Sequence, residues 1–216
     1  MLERTIATQT HGRYLVEPAS VSGPSPILVG FHGYGEGAAE MLARLTPIDG
    51  VSRWHIVSIQ GLSRFYNRRS NEVVASWMTR QDRELAIADN VAYAAAVIET
   101  VAHDWPSTGD VVFAGFSQGV AMAFRAAASS GRRVRGIIAA GGDVPPEIDV
   151  ASLATIERAL VCHGARDEWY TPDTFAADLA RLRAADVATR PLDFDGGHEW
   201  SDAVRVASAA FLNELR

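Results

Sequence analysis

Asp110-Val-Val-Phe-Ala-Gly-Phe-Ser-Gln-Gly119 is the stretch on which the reading of this chain turns. Val111 to Ala114 is a short apolar run with the character of a buried strand, and Val120 to Ala128 is alanine-rich and helical. Between them lies Gly115-Phe116-Ser117-Gln118-Gly119, a G-x-S-x-G pattern. The flanking glycines lack a Cβ, so strand and helix can approach closely while the serine is held in an unfavourable backbone conformation. Its hydroxyl then projects beyond the sheet edge at a helix N-terminus, where developing negative charge is favoured. Glycine and serine are common, so the pattern alone also fits a loop that merely turns the chain. An acid and a base following in the right order would decide for a nucleophile.

Outward from this stretch, apolar runs alternate with helical patterns. Arg13 to Glu17 alternates weakly, as an edge strand does, and Ile27 to Phe31 is a compact apolar run. It ends in His32-Gly-Tyr-Gly-Glu-Gly37, after which Ala38 to Leu45 reads as helix. His55 to Ile59 is the next strand, followed by a long polar-aromatic segment from Gln60 to Thr79. Glu84 to Asp104 is the strongest helix, with Leu85, Ala88, Ala92, Ala95, Ala96 and Glu99 at three-four spacing and Val91, Ile98 and Val101 widening the stripe. Beyond the central stretch come strands at Arg135 to Ala140, Ala159 to His163 and Thr189 to Phe194. Helices are expected over Asp173 to Ala185, capped at Thr171 or Pro172, and over Glu199 to Leu215. Apolar strands alternating with helices predict an α/β fold: a mostly parallel central sheet with helices on both faces. With 216 residues and no linker or repeat, the chain is expected to form one domain over residues 1–216.

Composition removes several function classes. Apolar residues make up 48% and charged residues 21%, which is ordinary for a globular protein. The net charge is −6 and no basic run occurs, so neither nucleic acid nor an anionic membrane is an expected partner. All 20 basic residues are arginine, which rules out a lysine Schiff base or a P-loop lysine. Cys162 is the only cysteine, so an intrachain disulfide and a cysteine-based zinc site are excluded. No signal-peptide core and no apolar run near the ~18 residues of a membrane span are evident, so a soluble, cytoplasmic protein without integral membrane association is expected.

In an open α/β sheet, the loops at the carboxyl ends of the strands line the ligand crevice. Ser117, Asp167 and His198 each follow a predicted strand, in the order Ser, Asp, His expected of an α/β-hydrolase. A serine hydroxyl needs a base within hydrogen-bond reach, an imidazole serves, and an aspartate fixes the imidazole's tautomer. Asp143 also follows a strand and is the rival acid, while Asp195 lies only three residues before His198 and reads as a loop-shaping residue. Among the other histidines, His11 and His103 read as solvated, His55 and His163 as structural, and His32 lies too early in the chain. The oxyanion needs backbone donors: the N–H of Gln118, immediately after the nucleophile, and that of Tyr34, with Gly35 as the alternative. Gly33-x-Gly35-x-Gly37 is not a dinucleotide loop, because the third glycine of that fingerprint would fall at Ala38.

With these residues in place, the chain resembles the phospholipase/carboxylesterase family of α/β-hydrolases, which includes the acyl-protein thioesterases. The matching pieces are Phe31-His-Gly-Tyr-Gly35, Gly115-Phe-Ser-Gln-Gly119, His163-Gly-Ala-Arg-Asp167 and Gly196-Gly-His198. The resemblance implies a compact α/β-hydrolase without a large lid domain, a Ser117–His198–Asp167 triad, and no metal or organic cofactor. Family members often carry a tryptophan, an aromatic residue and an aspartate before the long helix; Ser76-Trp-Met-Thr79 keeps only Trp77.

Phe65, Tyr66, Trp77, Trp169, Tyr170 and Trp200 lie on predicted loops near one sheet end and are candidate walls for an acyl or aryl group, or simply large residues packed at loop bases. Arg68, Arg69 and Arg80 could attract an anionic substrate, but read more simply as a solvated face. Cys162 reads as a small buried hydrophobe. The expected activity is hydrolysis of small or medium carboxylic esters, or thioesters, through an acyl-enzyme. The alternatives are a catalytically silent hydrolase-like binding protein and a peptidase on the same fold.

Overall fold

Val111 and Phe113 point to one side of the central strand and Val112 and Ala114 to the other, and all four are fully buried. A strand that is apolar on both faces must be covered on both faces. The structure, a computed structural model, describes residues 1–215 and meets that demand with three layers. In chain order the elements are β1 (Arg13–Glu17), β2 (Ser25–Phe31), α1 (Ala38–Leu45), β3 (His55–Gln60), β4 (Ser63–Tyr66), β5 (Val73–Ser76), α2 (Arg83–Asp104), β6 (Ser107–Phe116) and α3 (Gln118–Ser129). There follow β7 (Arg133–Ala140), α4 (Val150–Leu153), β8 (Arg158–Gly164), α5 (Pro172–Ala184), β9 (Ala188–Phe194) and α6 (Asp202–Glu214).

Seven strands form one sheet in the order β1-β3-β2-β6-β7-β8-β9. Every pairing is parallel except that of β1, which runs antiparallel to β3 at the edge. Alternation sorts the side chains. Val29, Phe31, Phe113, Ile137 and Val161 meet α2, α3 and α5 through Val97, Met122, Phe124 and Leu182. Leu28, Val112, Ile138 and Leu160 face the other way, onto Met41 and Leu45 of α1 and Phe211 and Leu212 of α6. Fully burying each such Leu, Ile or Phe contributes about 1.5–3 kcal/mol.

The order of the strands fixes where a ligand can bind. The chain leaves β2 for β3 on one side and returns to β6 on the other, so β2 and β6 flank a topological switch point. A crevice opens at such a point, outside the carboxyl ends of the strands. Ser117 follows β6 there, and the loop from His32 to Gly37 follows β2.

Four details depart from the sequence reading. The segment from Gln60 to Thr79 is not all loop: β4 and β5 pair as an antiparallel two-stranded ribbon. The last helix starts at Asp202 rather than Glu199, because the Ser201 side chain accepts a hydrogen bond from Val204 N–H and caps it. Helix α2 buries Asn90, Ala94, Val97, Ile98 and Val101, while Leu85, placed on the apolar stripe, is 51% exposed. By length and composition alone α2 is also apolar enough to cross a membrane, contrary to expectation, although only 28% of its most apolar stretch is buried against the fold.

The junction of β6 and α3 depends on glycine. A Cβ on Gly119 would overlap the carbonyl oxygen of Phe31 and lie 2.6 Å from that of His32. Those atoms are backbone of a fully buried strand end and cannot yield as a flexible side chain would. Gly119→Ala is expected to cost about 3 kcal/mol or more of stability, at the upper end for overpacked sites, which urea unfolding would measure.

Candidate active site

Ser117 sits at the N-terminus of α3 with φ 54° and ψ −123°, a left-handed backbone conformation rarely taken by a residue with a side chain. Its N–H donates to Ala140 O at the end of β7 (2.9 Å), so the strained turn is tied to the neighbouring strand. Its hydroxyl lies 2.8 Å from His198 Nε2. His198 Nδ1 lies 2.8 Å from Asp167 Oδ2. The three side chains come from the loops after β6, β9 and β8, as the order of the strands requires.

Asp167 is only 5% exposed. Its Oδ1 accepts the backbone N–H groups of Trp169 (2.8 Å) and Tyr170 (3.0 Å), leaving Oδ2 for the imidazole. Burial alone would raise the carboxyl above its ordinary value, but the Tyr170 N–H, His198 and the Trp169 N–H together outweigh it and hold Asp167 below. It therefore remains a carboxylate, able to accept a hydrogen bond from the imidazole's Nδ1–H and leave Nε2 free to take a proton from Ser117. Asp143, the rival acid, makes no hydrogen bond or ion pair with His198 among the described residues. Gly141 (φ 66°) packs against the His198–Asp167 pair instead: a Cβ there would lie 3.3 Å from the His198 ring and 3.4 Å from Asp167 Oδ2. Asp195 pairs with Arg166 on the surface, consistent with a loop-shaping role.

The backbone N–H groups of Tyr34 and Gln118 find no intramolecular acceptor among the described residues, whereas Gly35 N–H is already committed to Ala75 O (3.0 Å). The alternative donor is thus occupied, and Tyr34 and Gln118 remain free to donate. Sequence reasoning treated this loop as backbone alone and missed what holds it. Glu36 accepts Gly33 N–H (2.8 Å) and grips Arg44 with both oxygens, at 2.6 and 2.7 Å. Burial pushes the Glu36 carboxyl up, yet Arg44 and the Gly33 N–H bring it below its usual range. His32 is buried, which lowers its pKa and keeps the ring neutral; its Nε2 accepts Gly61 N–H (3.0 Å) while Nδ1 bonds Gly33 O (2.7 Å). The Gln118 side chain accepts Trp77 N–H (3.0 Å) and donates to Met78 O (3.3 Å), fastening the segment after β5 to the start of α3. A glutamate placed between the loop glycines, eight residues before Arg44, was the one available sequence signal.

Ser117 and His198 open into a cavity of about 570 Å³, which Tyr34, Gln118, Asp143, Trp169, Tyr170 and Thr174 help to line. A larger groove of about 750 Å³ runs along α2 and α3, but neither Ser117 nor His198 reaches it. Of the six aromatic candidates, Trp169 and Tyr170 line the cavity at Ser117. The other four do not. Trp77 is fully buried, and its indole N–H donates to His32 O (2.8 Å), so it supports the loop from beneath. Trp200 packs against the core under α1 and α6. Phe65 and Tyr66 stand on β4, exposed, and Phe65 meets the cavity only through Tyr34, whose ring centre is 5.6 Å away. Arg68, Arg69 and Arg80 are exposed, and Cys162 is fully buried with its thiol pushed up by desolvation. No group of three His, Cys, Asp or Glu side chains among the described residues is arranged to hold a metal ion.

A family model described as Phospholipase/Carboxylesterase matches residues 17–182. The chain belongs to that family. The match ends before His198, so the base rests on the geometry above. Among solved structures, esterase PE8 superposes with a TM-score of 0.71 at 22% identity, over 96% of this chain and 100% of its own. The Bacillus cereus carboxylesterase superposes with a TM-score of 0.72 at 15% identity, over 95% of each chain. Zea mays acyl-protein thioesterase 2 gives 0.71 at 17% identity, over 95% of this chain and 99% of its own. At these identities the superpositions establish the α/β-hydrolase fold. A comparison with curated proteins finds no match.

Proposed function

We propose that this family member is a serine hydrolase that cleaves small or medium carboxylic esters, and thioesters of the same acyl groups, through an acyl-enzyme on Ser117. The observation that carries the reading is the unbroken hydrogen-bonded chain from Ser117 Oγ through His198 to Asp167, with both links at 2.8 Å. In the first half-reaction His198 Nε2 takes the hydroxyl proton as Oγ bonds to the carbonyl carbon. The carbonyl oxygen gains the electron pair and accepts the N–H groups of Tyr34 and Gln118. Collapse of this intermediate expels the alkoxide or thiolate, which leaves with the proton held on His198. Water then enters, gives a proton to Nε2 and attacks the acyl carbon; the second collapse returns the proton to Ser117 Oγ and frees the acid. Asp167 keeps the imidazole in the required tautomer and stabilises its cation in both halves.

The strained turn is part of the same reading, because it holds Oγ toward His198 before any substrate arrives. Incubation of the folded protein with a fluorophosphonate should label Ser117 stoichiometrically and abolish hydrolysis of a p-nitrophenyl acyl ester. Absence of labelling on protein with an intact melting transition would overturn the proposal.

A further inference from the structure

Asp143 is the one side chain singled out as catalytic that the reaction leaves unused. It lines the same cavity as Ser117 and His198, and among the described residues it is the only formally charged one that does so, with His198 neutral. It is exposed, and among the described residues no hydrogen bond or ion pair engages it, although the chain carries 20 arginines. None of the described arginines lines the cavity. The backbone on either side of Asp143 is held in place. Its neighbour Val144 donates its N–H to Asp178 (3.0 Å), and Arg181 donates to Val144 O (2.7 Å) and Pro145 O (3.0 Å). On its other side, a Cβ on Gly142 would overlap Ser117 O, so Asp143 follows a backbone that touches the nucleophile's own.

Trp169 is the second observation. Its indole lines the cavity, is 83% exposed and has no ring partner. Most large aromatic side chains in this fold are buried or stacked, as Trp77 and Phe175 are. An open indole face attracts a cation through its quadrupole, and a carboxylate nearby does so through its charge. The same charge reaches further into the wall: Asp143 is among the causes that push the buried Asp178 carboxyl and the Tyr170 hydroxyl above their usual values, after desolvation in both cases. A second anion in this cavity would meet Asp143 with no cation beside it. A substrate cation would be the missing partner.

We propose that the cavity beside Ser117 selects esters or thioesters carrying an alkylammonium group, held between the Asp143 carboxylate and the open face of Trp169. This rests on the serine-hydrolase reading above and names its substrate class. Asp143 is then a specificity residue with no part in bond breaking.

The test compares isosteric pairs in which carbon replaces the quaternary nitrogen. One pair is choline butyrate and its tert-butyl analogue, which places the cation in the alcohol. The other is the p-nitrophenyl ester of trimethylammonio-butyrate and its carbon analogue, which places it in the acyl group. The readout is the cationic-to-neutral ratio of kcat/KM, taken in wild type and in Asp143→Asn, so that differences in intrinsic reactivity cancel. In at least one pair the ratio is expected to fall about fivefold in Asp143→Asn, the loss of a partly screened ion pair. Trp169→Leu should lower the same ratio and guards against a folding defect in the first variant. Unchanged ratios in both pairs and both variants would overturn the proposal, as would a preference for a neutral polyhydroxylated ester that Asp143→Asn abolishes. Those outcomes are separable from failure of the serine-hydrolase reading, in which wild type turns over neither neutral analogue and resists fluorophosphonate.

Discussion

Replacing Ser117 with alanine will lower kcat/KM for any ester substrate by about 10⁵-fold or more, the loss expected when the nucleophile of a cooperating triad is removed. The protein will remain folded, because the Ser117 side chain makes one hydrogen bond, to His198, and its backbone bond to Ala140 survives the change. A neutral bond of this kind contributes about 1 kcal/mol. Glycine separates strain from chemistry. At φ 54° and ψ −123° a Cβ is strained, and such conformations cost about 1–3 kcal/mol. Alanine keeps that Cβ, whereas glycine removes it and gives back about 0.5–1 kcal/mol through its freer unfolded chain. Ser117→Gly should therefore be as inactive as Ser117→Ala but more stable by about 1 kcal/mol. Urea unfolding of both variants, beside a p-nitrophenyl ester assay, reads this directly. An alanine variant more stable than the glycine variant would mean that the strain stored in the turn is smaller than glycine's entropic cost of about 0.5–1 kcal/mol.

The part of the site legible in the sequence was the part written in contiguous residues. The run from Asp110 to Gly119 carries its own strand, turn and helix, and the structure builds β6, the turn and α3 there, extending each by a few residues where neighbouring strands supply ladder partners. The order Ser117, Asp167, His198 was legible because each residue follows an apolar run, and a parallel sheet gathers all such ends at one edge. What failed were readings that needed to know which way a side chain turns. An alanine-rich helix is apolar around most of its circumference, so counting apolar positions could not locate the buried face of α2. That face is marked instead by Asn90, buried because its side chain accepts Leu62 N–H (3.1 Å) and donates to Trp77 O (3.0 Å). The aromatic residues failed for the same reason. Trp77 and Trp169 look alike in sequence, yet one lies under the loop with its N–H satisfied and the other stands in solvent at the cavity. The exposed β4–β5 ribbon had no apolar face to announce it, since only Val74 to Ser76 of its residues are buried.

Asp167→Asn will lower kcat by roughly 10⁴-fold, as loss of the orienting carboxylate does in comparable triads, and the geometry gives the reason. Oδ1 accepts the backbone N–H groups of Trp169 and Tyr170, two donors that only an oxygen can satisfy. The asparagine will therefore keep its oxygen there and turn its NH₂ toward His198 Nδ1, where Asp167 Oδ2 now lies 2.8 Å away. An NH₂ can only donate, so Nδ1 must accept and the ring proton moves to Nε2. A protonated Nε2 cannot take the proton of Ser117, and catalysis stops at its first step while the loop stays in place. Fluorophosphonate labelling should slow in parallel with ester turnover, since both need the same deprotonation. Stability supplies an independent check. Folded-state contacts hold the Asp167 carboxyl below its unfolded value, so its contribution is present above the ordinary carboxylate range of about 3.9 and is lost as pH falls through the lower folded value. The difference in unfolding free energy between wild type and Asp167→Asn should thus shrink as the solution is acidified below that range. If Asp143→Asn proves the more damaging substitution for neutral esters, then Asp143, rather than Asp167, is the acid that serves His198.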